Sequence, residues 1–486
     1  MSYLSLYFAA FVLAMMVGYY LLPKKVRWIM LLCGSVFFYV CFDWKYLPFL
    51  LFSAMSTYFG AIAMKTGRKK LILTGCIGIN AAVWLAIKEL PWALGTLNRG
   101  LSAFGIPVSL PVYSIIVPVG ISYYLLQAIG YLVDVSKGKV EPERNFLKYL
   151  LFLSWFPAIV QGPISRYERL MPQLLNTKSY TFENMRDNLV LILIGLVKKM
   201  VIADRLGIFV NTVFSRFEDL YGVILYLGAV GYAIQLYTDF SGCVDICRGV
   251  SGLFGVELVH NFNRPYFSRS IKEFWGKWHM SLSSWLKDYV YIPLGGNRKG
   301  TFRKYLNLMI TFLVSGLWHG AGFNFFLWGG MHAVFQIVGQ STDGLRRKAR
   351  KLMGIEEGSL SERIYQTLIT FNLVTLAWIV FRAGGLMTGI RYIWHMVSQS
   401  AVWMLFDGSL YKFGLSQNYI VFLLLHICVL FAAELCSKRQ EDVVAGITRQ
   451  HIFLRWTLYL AMIFDVLLFG VYGSGYDMAS FMYGGF

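Results

Sequence analysis

The sequence predicts an all-α protein that crosses a membrane many times. Hydrophobic residues make up 57% of its 486 residues, aromatic residues 17% and charged residues only 15%, a composition that excludes an ordinary soluble domain. Apolar runs recur along the chain at about 17–25 residues, the length that a helix needs to cross hydrocarbon. The runs are continuous rather than alternating, which favours spanning helices over barrel strands.

The apolar runs themselves predict about 11–13 transmembrane or re-entrant helices. The strongest runs are residues 3–22, 47–64, 71–87 and 417–433. Weaker runs are residues 28–42, 113–133, 147–162, 187–203, 221–238, 304–318, 323–339, 364–381 and 452–472. No internal repeat or low-complexity linker separates them, so residues 1–486 are expected to form a single domain.

Positive charges in the short loops predict the orientation of the chain. Basic clusters follow the first run, at residues 24–27, and the third, at residues 65–70. Basic loops stay in the cytoplasm, so the N-terminus is expected outside. The net charge of +19 lies in such loops, which favours anionic lipid as a partner and argues against nucleic acid.

Two polar regions interrupt the apolar pattern and are expected to face the cytoplasm. Residues 260–304 are strongly basic, and their stretch IKEFWGKWHMSLSSWLKDYVYI mixes aromatic residues and cations at helical spacing. This pattern predicts a wet, amphipathic helix that lies in the interface or dips below it. PLGGNRKG, which follows, is typical of a turn. The second region, residues 341–363, contains RRKARK.

His319, in GLWHGAGFNFFLWGGMH, is the strongest candidate for a catalytic group. An ionisable side chain inside a membrane segment usually faces a polar cavity. Gly316, Gly320 and Gly322 remove side-chain bulk on both sides, which allows close approach of a backbone or a ligand. A neutral imidazole is also a suitable general base near neutral pH. The alternative is a structural histidine between packed helices.

Three further side chains are candidates with a structural alternative. His279 lies between Trp278 and Trp285 and is either functional or an interfacial residue. His332 is expected on the helix after His319, beyond a GAGFN turn, where a structural or supporting role is favoured. Asp239 in LYTDFSG needs a cationic partner, for which Arg205 or Arg248 is suitable, and an ion pair that orients helices is favoured.

Neither the histidines nor the cysteines have the spacing of a metal site. The histidines lack an HExxH pattern, and the seven cysteines lie mostly in apolar stretches without CxxC spacing. We therefore predict no metal ligands.

Several stretches together resemble the membrane-bound O-acyltransferase superfamily, in its bacterial branch of alginate O-acetylation proteins. They run in family order from about residue 115 to 382, the motif-rich core of the chain. The stretches are IVPVGISYYLLQAIGYLVDV, FPAIVQGPISRYERLMPQL, LVKKMVIADRL, YTDFSGCVDICRG, NFNRPYFSRSIKEFWGKWHMSLSSWLKDYVYIPLGGNRKG, SGLWHGAGFNFFLWGGMH and AWIVFRA. The WHMSLSSWLKDYVYIPLGG and GLWHG blocks are highly specific as a pair.

The resemblance implies helices around a central tunnel, an O-acyltransferase activity and two functional histidines. The histidine of the GLWHG block, His319, would be catalytic, and that of the WHMSL block, His279, would be the second functional position. The implied donor is a cytoplasmic acyl-CoA, most simply acetyl-CoA, or an acyl carrier, with no bound cofactor. The implied location is the bacterial inner or cytoplasmic membrane.

The resemblance also implies partners on the outer side of the membrane. The expected acceptor is an extracellular or cell-wall polysaccharide, O-acetylated with the help of an extracytoplasmic SGNH-hydrolase-like acetyltransferase. The alternatives are D-alanyl transfer to teichoic acid and, from another class, a transporter or flippase without chemistry of its own.

Two further expectations concern how the acyl group is handled. No G-x-S-x-G elbow is present, so direct transfer or relay through another hydroxyl is favoured. Asn324 or tryptophan donors such as Trp318 are suited to stabilise an oxyanion. The tail, residues 473–486, is expected outside the membrane, and its ending F-x-Y-x-x-F resembles a terminal motif of the branch. We therefore expect Tyr483 to be an acyl relay or, alternatively, part of a structural anchor.

Overall fold

The computed structural model describes residues 1–113, 116–176, 178–437 and 440–472, and within these ranges the chain forms helices and no strand. The first helices are α1 (Leu6–Leu21), α2 (Arg27–Val40), α3 (Leu47–Ala63), α4 (Lys69–Lys88), α5 (Leu90–Ala103), α6 (Ile121–Ser136), α7 (Phe146–Ser154), α8 (Tyr167–Leu175), α9 (Phe182–Leu196), α10 (Asp204–Ser215) and α11 (Val223–Leu253). The later helices are α12 (Ile271–Trp275), α13 (Met280–Leu286), α14 (Gly300–His319), α15 (Phe323–Ser341), α16 (Asp343–Leu352), α17 (Leu360–Arg382), α18 (Leu386–Ser398), α19 (Gln417–Cys436), α20 (Gln440–Thr448) and α21 (Ile452–Phe469).

Six of the described helices are long and apolar enough to cross a membrane. They are α3 with the turn before it (Trp44–Ala63), α4, α11, α17, α19 and α21, and the shorter helices α1 and α2 are also apolar. The prediction of an all-α, multi-pass membrane protein is confirmed, and the number of 11–13 membrane segments stays a prediction.

The contacts within the chain divide it into two compact units. Among the described residues, the first unit contains Met1–Ile192 and Val244–Val259, and the second contains Leu193–Cys243 and residues 260–472. The expectation of a single domain therefore stays a prediction. In the first unit, the Trp155 indole donates to Ser251 Oγ over 3.1 Å, and Phe254 O accepts from the Tyr19 hydroxyl over 3.1 Å.

In the second unit, α14 and α15 are joined by a short turn and approach to backbone contact. A Cβ atom added to Gly316 would lie 2.3 Å from Phe325 O, and one added to Gly329 would lie 2.3 Å from Phe312 O. Only residues without a side chain permit this approach. The predicted GAGFN turn is confirmed, because α14 ends at His319 and α15 begins at Phe323.

The ends of three helices in the second unit meet near His319. The Asn324 amide donates to Phe381 O over 3.4 Å, which joins the start of α15 to the end of α17. The basic helix α16 follows the other end of α15. His319 therefore lies at the ends of α14 and α15 that are remote from α16.

Two predicted segments differ in length from the observed helices. The apolar run 221–238 was expected to end before Asp239, but α11 continues to Leu253. The run 147–162 contains only α7, which ends at Ser154, because Pro157 lies three residues further on and proline disfavours a helical conformation before it.

The contact between α14 and α15 predicts different effects for two adjacent glycines. Gly329→Ala is expected to lower the free energy of unfolding by ~1–3 kcal/mol, because its Cβ has no space against Phe312 O. In Gly330→Ala, the new Cβ would lie 4.0 Å from its nearest neighbour, Leu313 Cδ2, so this control should unfold like the parent protein. Thermal unfolding in detergent measures both, and equal midpoints would contradict the close contact.

Candidate active site

His279 occupies a break between two short helices. It lies between α12 and α13 with φ 44° and ψ 53°, a left-handed conformation that is uncommon for a residue with a side chain. Asn261 holds the turn: its carbonyl accepts from Met280 N over 3.0 Å, and its side-chain oxygen accepts from Ser281 N over 3.0 Å. His279 is 0% exposed, so the prediction that its segment is wet is wrong at this position.

His319 ends α14 and is surrounded by aromatic side chains. It is 1% exposed. The centroid of its ring lies 4.9 Å from that of Trp318, 4.9 Å from that of Trp328 and 5.4 Å from that of Phe381. The imidazole therefore lies in an apolar environment at the junction of α14, α15 and α17.

The structure brings the three candidate histidines together through two tryptophans. The Trp318 ring lies between His279, at a centroid distance of 5.9 Å, and His319. The Trp328 ring lies between His319 and His332, with a centroid distance of 5.1 Å to His332. His279, His319 and His332 thus form one cluster, which we call the histidine cluster.

His332 is the member of the cluster that is enclosed most completely by aromatic rings. It is 0% exposed, and its ring centroid lies 5.1 Å from that of Trp275 and 6.1 Å from those of Phe312 and Trp378. Within the described part of the chain, neither of its ring nitrogens has a hydrogen-bond partner. This arrangement fits the predicted supporting role, in which the ring packs behind His319.

Asp239 is held by a buried lysine, which the sequence did not single out. Lys199 Nζ forms an ion pair with Asp239 and a second one with Asp204, the latter over 2.7 Å. Lys199 lies in a π-helical turn, Val197–Ala203, that continues α9. Arg205, one of the expected partners, instead donates to Phe469 O. The ion pair explains how α11 continues through Asp239, because the buried charge is compensated.

A cavity of about 790 Å³ lies beside the histidine cluster. We call it the basic cavity, because its lining includes four cations, Lys272, Lys287, Arg298 and Lys304. Within the described part of the chain, no aspartate or glutamate lines it. An anionic ligand is therefore favoured at its mouth.

The inner wall of the basic cavity is formed by side chains that contact the histidine cluster. Trp275 and Phe312 line the cavity and pack on His332, and Trp275 also packs on Trp328 at 5.7 Å. Ser315 lines the cavity one helical turn before His319 on α14, so both face the same side of the helix.

Two polar groups in this wall are available to a ligand, whereas a third is not. Within the described residues, Trp275 Nε1 and Ser315 Oγ have no hydrogen-bond partner although both are buried. Thr311 also lines the cavity, but its hydroxyl donates to Asn307 O over 2.7 Å. Sequence reasoning missed Ser315 and Trp275, although the four-residue spacing from Ser315 to His319 was visible.

A second cavity of about 500 Å³ adjoins the mouth of the basic cavity. The two share Lys272, Lys304, Gln336 and Gln340, and the second also has Arg269 in its lining.

Of the lysines near this junction, Lys277 is neutralised by an ion pair and two others are not. Glu273 pairs with Lys277 over 2.7 Å and accepts from Arg269 N over 2.8 Å. Burial opposes its ionisation, but these contacts outweigh burial and lower the pKa of Glu273. In the described ranges, neither Lys272 nor Lys304 forms an ion pair. These two lysines are therefore available to a ligand.

The remaining sequence predictions have different outcomes. Asn324 is 5% exposed and Trp318 8%. Trp318 packs on His319, and Asn324 donates to the carbonyl of Phe381, whose ring also packs on His319. Tyr483 lies outside the described residues. In the part of the chain that the structure describes, no three His, Cys, Asp or Glu side chains come together in a way that could hold a metal ion.

Comparisons with known proteins agree with this arrangement of motifs. The model of the membrane-bound O-acyltransferase family matches residues 142–371. The chain is 33% identical to the probable alginate O-acetylase AlgI of Pseudomonas putida over 389 residues, which cover 78% of this chain and 76% of that protein. It is 32% identical to the peptidoglycan O-acetyltransferase of Helicobacter pylori over 434 residues, which cover 82% of this chain and 80% of that protein. It is 29% identical to the teichoic acid D-alanyltransferase of Bacillus subtilis over 290 residues, which cover 56% of this chain and 70% of that protein.

The buried ion pairs of Lys199 predict an order of stabilities. Lys199→Met is expected to cost ~3–5 kcal/mol, because it removes the buried cation that pairs with both Asp204 and Asp239. Asp239→Asn should cost less, because Lys199 keeps Asp204. Thermal unfolding of the purified variants checks this order. A variant Asp239→Asn that unfolds at a lower temperature than Lys199→Met would contradict it.

Proposed function

The chain belongs to the membrane-bound O-acyltransferase family, and from that premise we propose that it transfers an acetyl group from cytoplasmic acetyl-CoA across the membrane. The acetyl group would serve the O-acetylation of an extracellular or cell-wall polysaccharide. The observation that carries this proposal is the basic cavity, which leads from four cations to the wall of the histidine cluster.

The shape and charge of the basic cavity suit a CoA thioester. Coenzyme A has phosphates at one end and a narrow, largely uncharged pantetheine arm at the other. Lys272 and Lys304 at the junction of the two cavities are suited to bind the phosphates. The arm would extend along α14 past Thr311 towards Ser315, which brings the thioester towards His319.

His319 would act as the general base. Its imidazole removes the proton from an acceptor hydroxyl while the hydroxyl oxygen attacks the thioester carbonyl carbon. When the tetrahedral intermediate collapses, the carbon–sulfur bond breaks and the protonated His319 returns the proton to the thiolate. The products are an ester and free CoA thiol, and His319 is restored. The apolar rings around His319 exclude water, which strengthens the electrostatic interactions in the site.

The negative charge on the carbonyl oxygen needs hydrogen-bond donors. Ser315 Oγ and Trp275 Nε1 are buried, line the basic cavity and have no partner within the described residues. We assign them this role together with the expected donors Asn324 and Trp318. Donors fixed before the reaction stabilise an oxyanion without reorganisation.

The other cluster residues would position the reacting groups. His279, behind Trp318, is proposed as the second functional histidine. His332 supports Trp328, and Asp239 with Lys199 fixes α11, whose Phe240 packs on His279 at 4.8 Å.

On the outer side, Tyr483 is the proposed acyl relay. The proposed partner is an extracytoplasmic SGNH-hydrolase-like acetyltransferase, which would complete the transfer to the polysaccharide. The inner or cytoplasmic membrane of a bacterium is the proposed location.

Two other functions have less support. D-Alanyl transfer to teichoic acid uses similar chemistry, but the similarity to the teichoic acid enzyme covers only 56% of this chain. A transporter without chemistry is not supported, because the similar proteins are transferases by name.

Loss of His319 is expected to abolish most of the transfer. We predict that His319→Ala lowers the rate of acetyl transfer by at least ~10²-fold, the usual effect of removing a general base. The rate is measured with radiolabelled acetyl-CoA and membranes that contain the acceptor system. His395→Ala is the control, because His395 lies on α18, outside the histidine cluster, and stacks on Tyr221. Transfer by His319→Ala at the rate of the control would rule out His319 as the base.

The cavity wall predicts a difference between two hydroxyl groups. Ser315→Ala should lower kcat by about 10–10³-fold with little change in KM, because an oxyanion donor acts in the transition state. Thr311→Val removes a hydroxyl that is already bonded to Asn307 O and should keep kcat within about twofold of the parent value. The steady-state kinetics of both variants are compared. Equal kcat values for the two variants would exclude Ser315 as an oxyanion donor.

A further inference from the structure

A separate cavity of about 450 Å³ lies in the second unit, away from the basic cavity. We call it the aliphatic cavity. Part of its wall comes from two helices near the C-terminal end of the described chain, namely Val429, Leu430 and Ala433 of α19 and Leu458, Ala461 and Met462 of α21. None of these side chains is part of the proposed transfer reaction.

The helices that enclose the aliphatic cavity face the lipid. Only 6% of the residues of α19 and of α21 are buried within the protein, and both helices are strongly apolar. In a bilayer, hydrocarbon chains therefore surround these two helices. Without an occupant, the side chains that line a cavity of this size would lose van der Waals contacts. A hydrocarbon chain is therefore favoured inside it.

One end of the aliphatic cavity is polar and basic. Lys198 and Arg264 line it there together with Asn263 and the carboxylate of Glu434, which accepts from the Tyr237 hydroxyl. The lining at this end therefore contains two cations and one carboxylate. In the described ranges, Arg264 Nε and Asn263 Oδ1 are buried and have no hydrogen-bond partner.

Arg264 lies in this wall with an unfavourable backbone conformation. Its φ is 49°, in the left-handed region, and its Nη1 donates to Glu434 O over 3.3 Å. Strained residues of this kind are frequent at ligand sites. Glu434 is two residues before the end of α19, and the segment after this helix contains Lys438, Arg439 and Arg449. Because basic loops stay in the cytoplasm, this end of α19 is expected on the cytoplasmic side.

The other end of the cavity is closed by a histidine–aspartate pair. His426 Nε2 lies 3.0 Å from Asp465 Oδ2, and His426 Nδ1 lies 2.8 Å from Phe422 O. Both ring nitrogens thus already have an acceptor. His426 and Glu434 are eight residues apart on α19, which separates the two polar ends by ~12 Å.

We propose that the aliphatic cavity is a binding site for a phospholipid of the cytoplasmic leaflet. One acyl chain would occupy the space between α19 and α21. The phosphate would lie at the basic end, next to the guanidinium of Arg264, whose Nε has no hydrogen-bond partner among the described residues. This inference does not depend on the acyl donor or on the polysaccharide.

The position of this lipid connects it to the histidine cluster. Phe262 and Tyr237 line the aliphatic cavity. The Phe262 ring lies 5.0 Å from that of Phe240, which in turn packs on His279 at 4.8 Å. A bound lipid therefore supports the wall against which His279 packs.

Two leucine substitutions on one helix test the site. Leu430→Trp fills the aliphatic cavity, whereas Leu424→Trp places the same ring on the outer face of α19, where Leu424 is 56% exposed and does not line the cavity. Each protein is delipidated, incubated with palmitoyl-oleoyl phosphatidylglycerol and analysed by native mass spectrometry. The parent protein and Leu424→Trp should each retain one lipid, and Leu430→Trp should bind at least ~10-fold more weakly.

A second comparison covers the case in which Leu430→Trp fails to fold. Arg264→Gln should weaken retention of phosphatidylglycerol but not of palmitoyl-oleoyl glycerol, which has the same chains and no phosphate. The proposal is overturned if Leu430→Trp retains the phospholipid as the parent does, if the parent retains only detergent, or if Arg264→Gln affects both lipids equally.

Discussion

The backbone contact between α14 and α15 is the constraint on which the site depends. Gly316 and Gly329 allow each helix to touch the carbonyl oxygens of the other, so the side chains on the facing surfaces have almost no freedom of position. His319 and Ser315 lie on α14, and Trp328 and His332 lie on α15. The short turn that follows His319 joins the two helices. A small change at this contact would therefore move the base, its aromatic support and the cavity wall together.

Some buried polar groups in the second unit have partners within the protein and stabilise the fold, whereas others line a cavity and are suited to bind a ligand. Lys199 satisfies two carboxylates, and the Thr311 hydroxyl bonds to its own helix. Such groups hold the helices in place. Among the described residues, Ser315 and Trp275 instead present donors without a partner to the basic cavity, and Arg264 presents one at the aliphatic cavity. A buried donor without a partner is costly in an apolar environment, and a ligand that accepts its hydrogen bond removes that cost.

Sequence reasoning located the catalytic candidates better than it described their surroundings. His319 and His332 were found because glycines and a turn interrupt an apolar run, a local signal that survives folding. The burial of His279 was not predicted, because the residues next to it are amphipathic and its cover comes from Phe240 and Trp318 on distant helices. The extent of α11 was also missed, since it depends on Lys199, forty residues before Asp239. Neither cavity was predictable, because each is formed by segments that are far apart in the sequence.

The most direct measurement is the structure of the protein with a donor analogue bound. Acetonyl-CoA, in which a methylene group separates the sulfur from the carbonyl, cannot be cleaved and keeps the phosphates, the pantetheine arm and a ketone oxygen. Electron cryo-microscopy of this complex should show the phosphates at Lys272 and Lys304, the arm along α14, and the ketone oxygen within hydrogen-bond distance of Ser315, on the side of His319. Density for the analogue outside the basic cavity, or a ketone remote from His319, would contradict the proposed path of the acyl group.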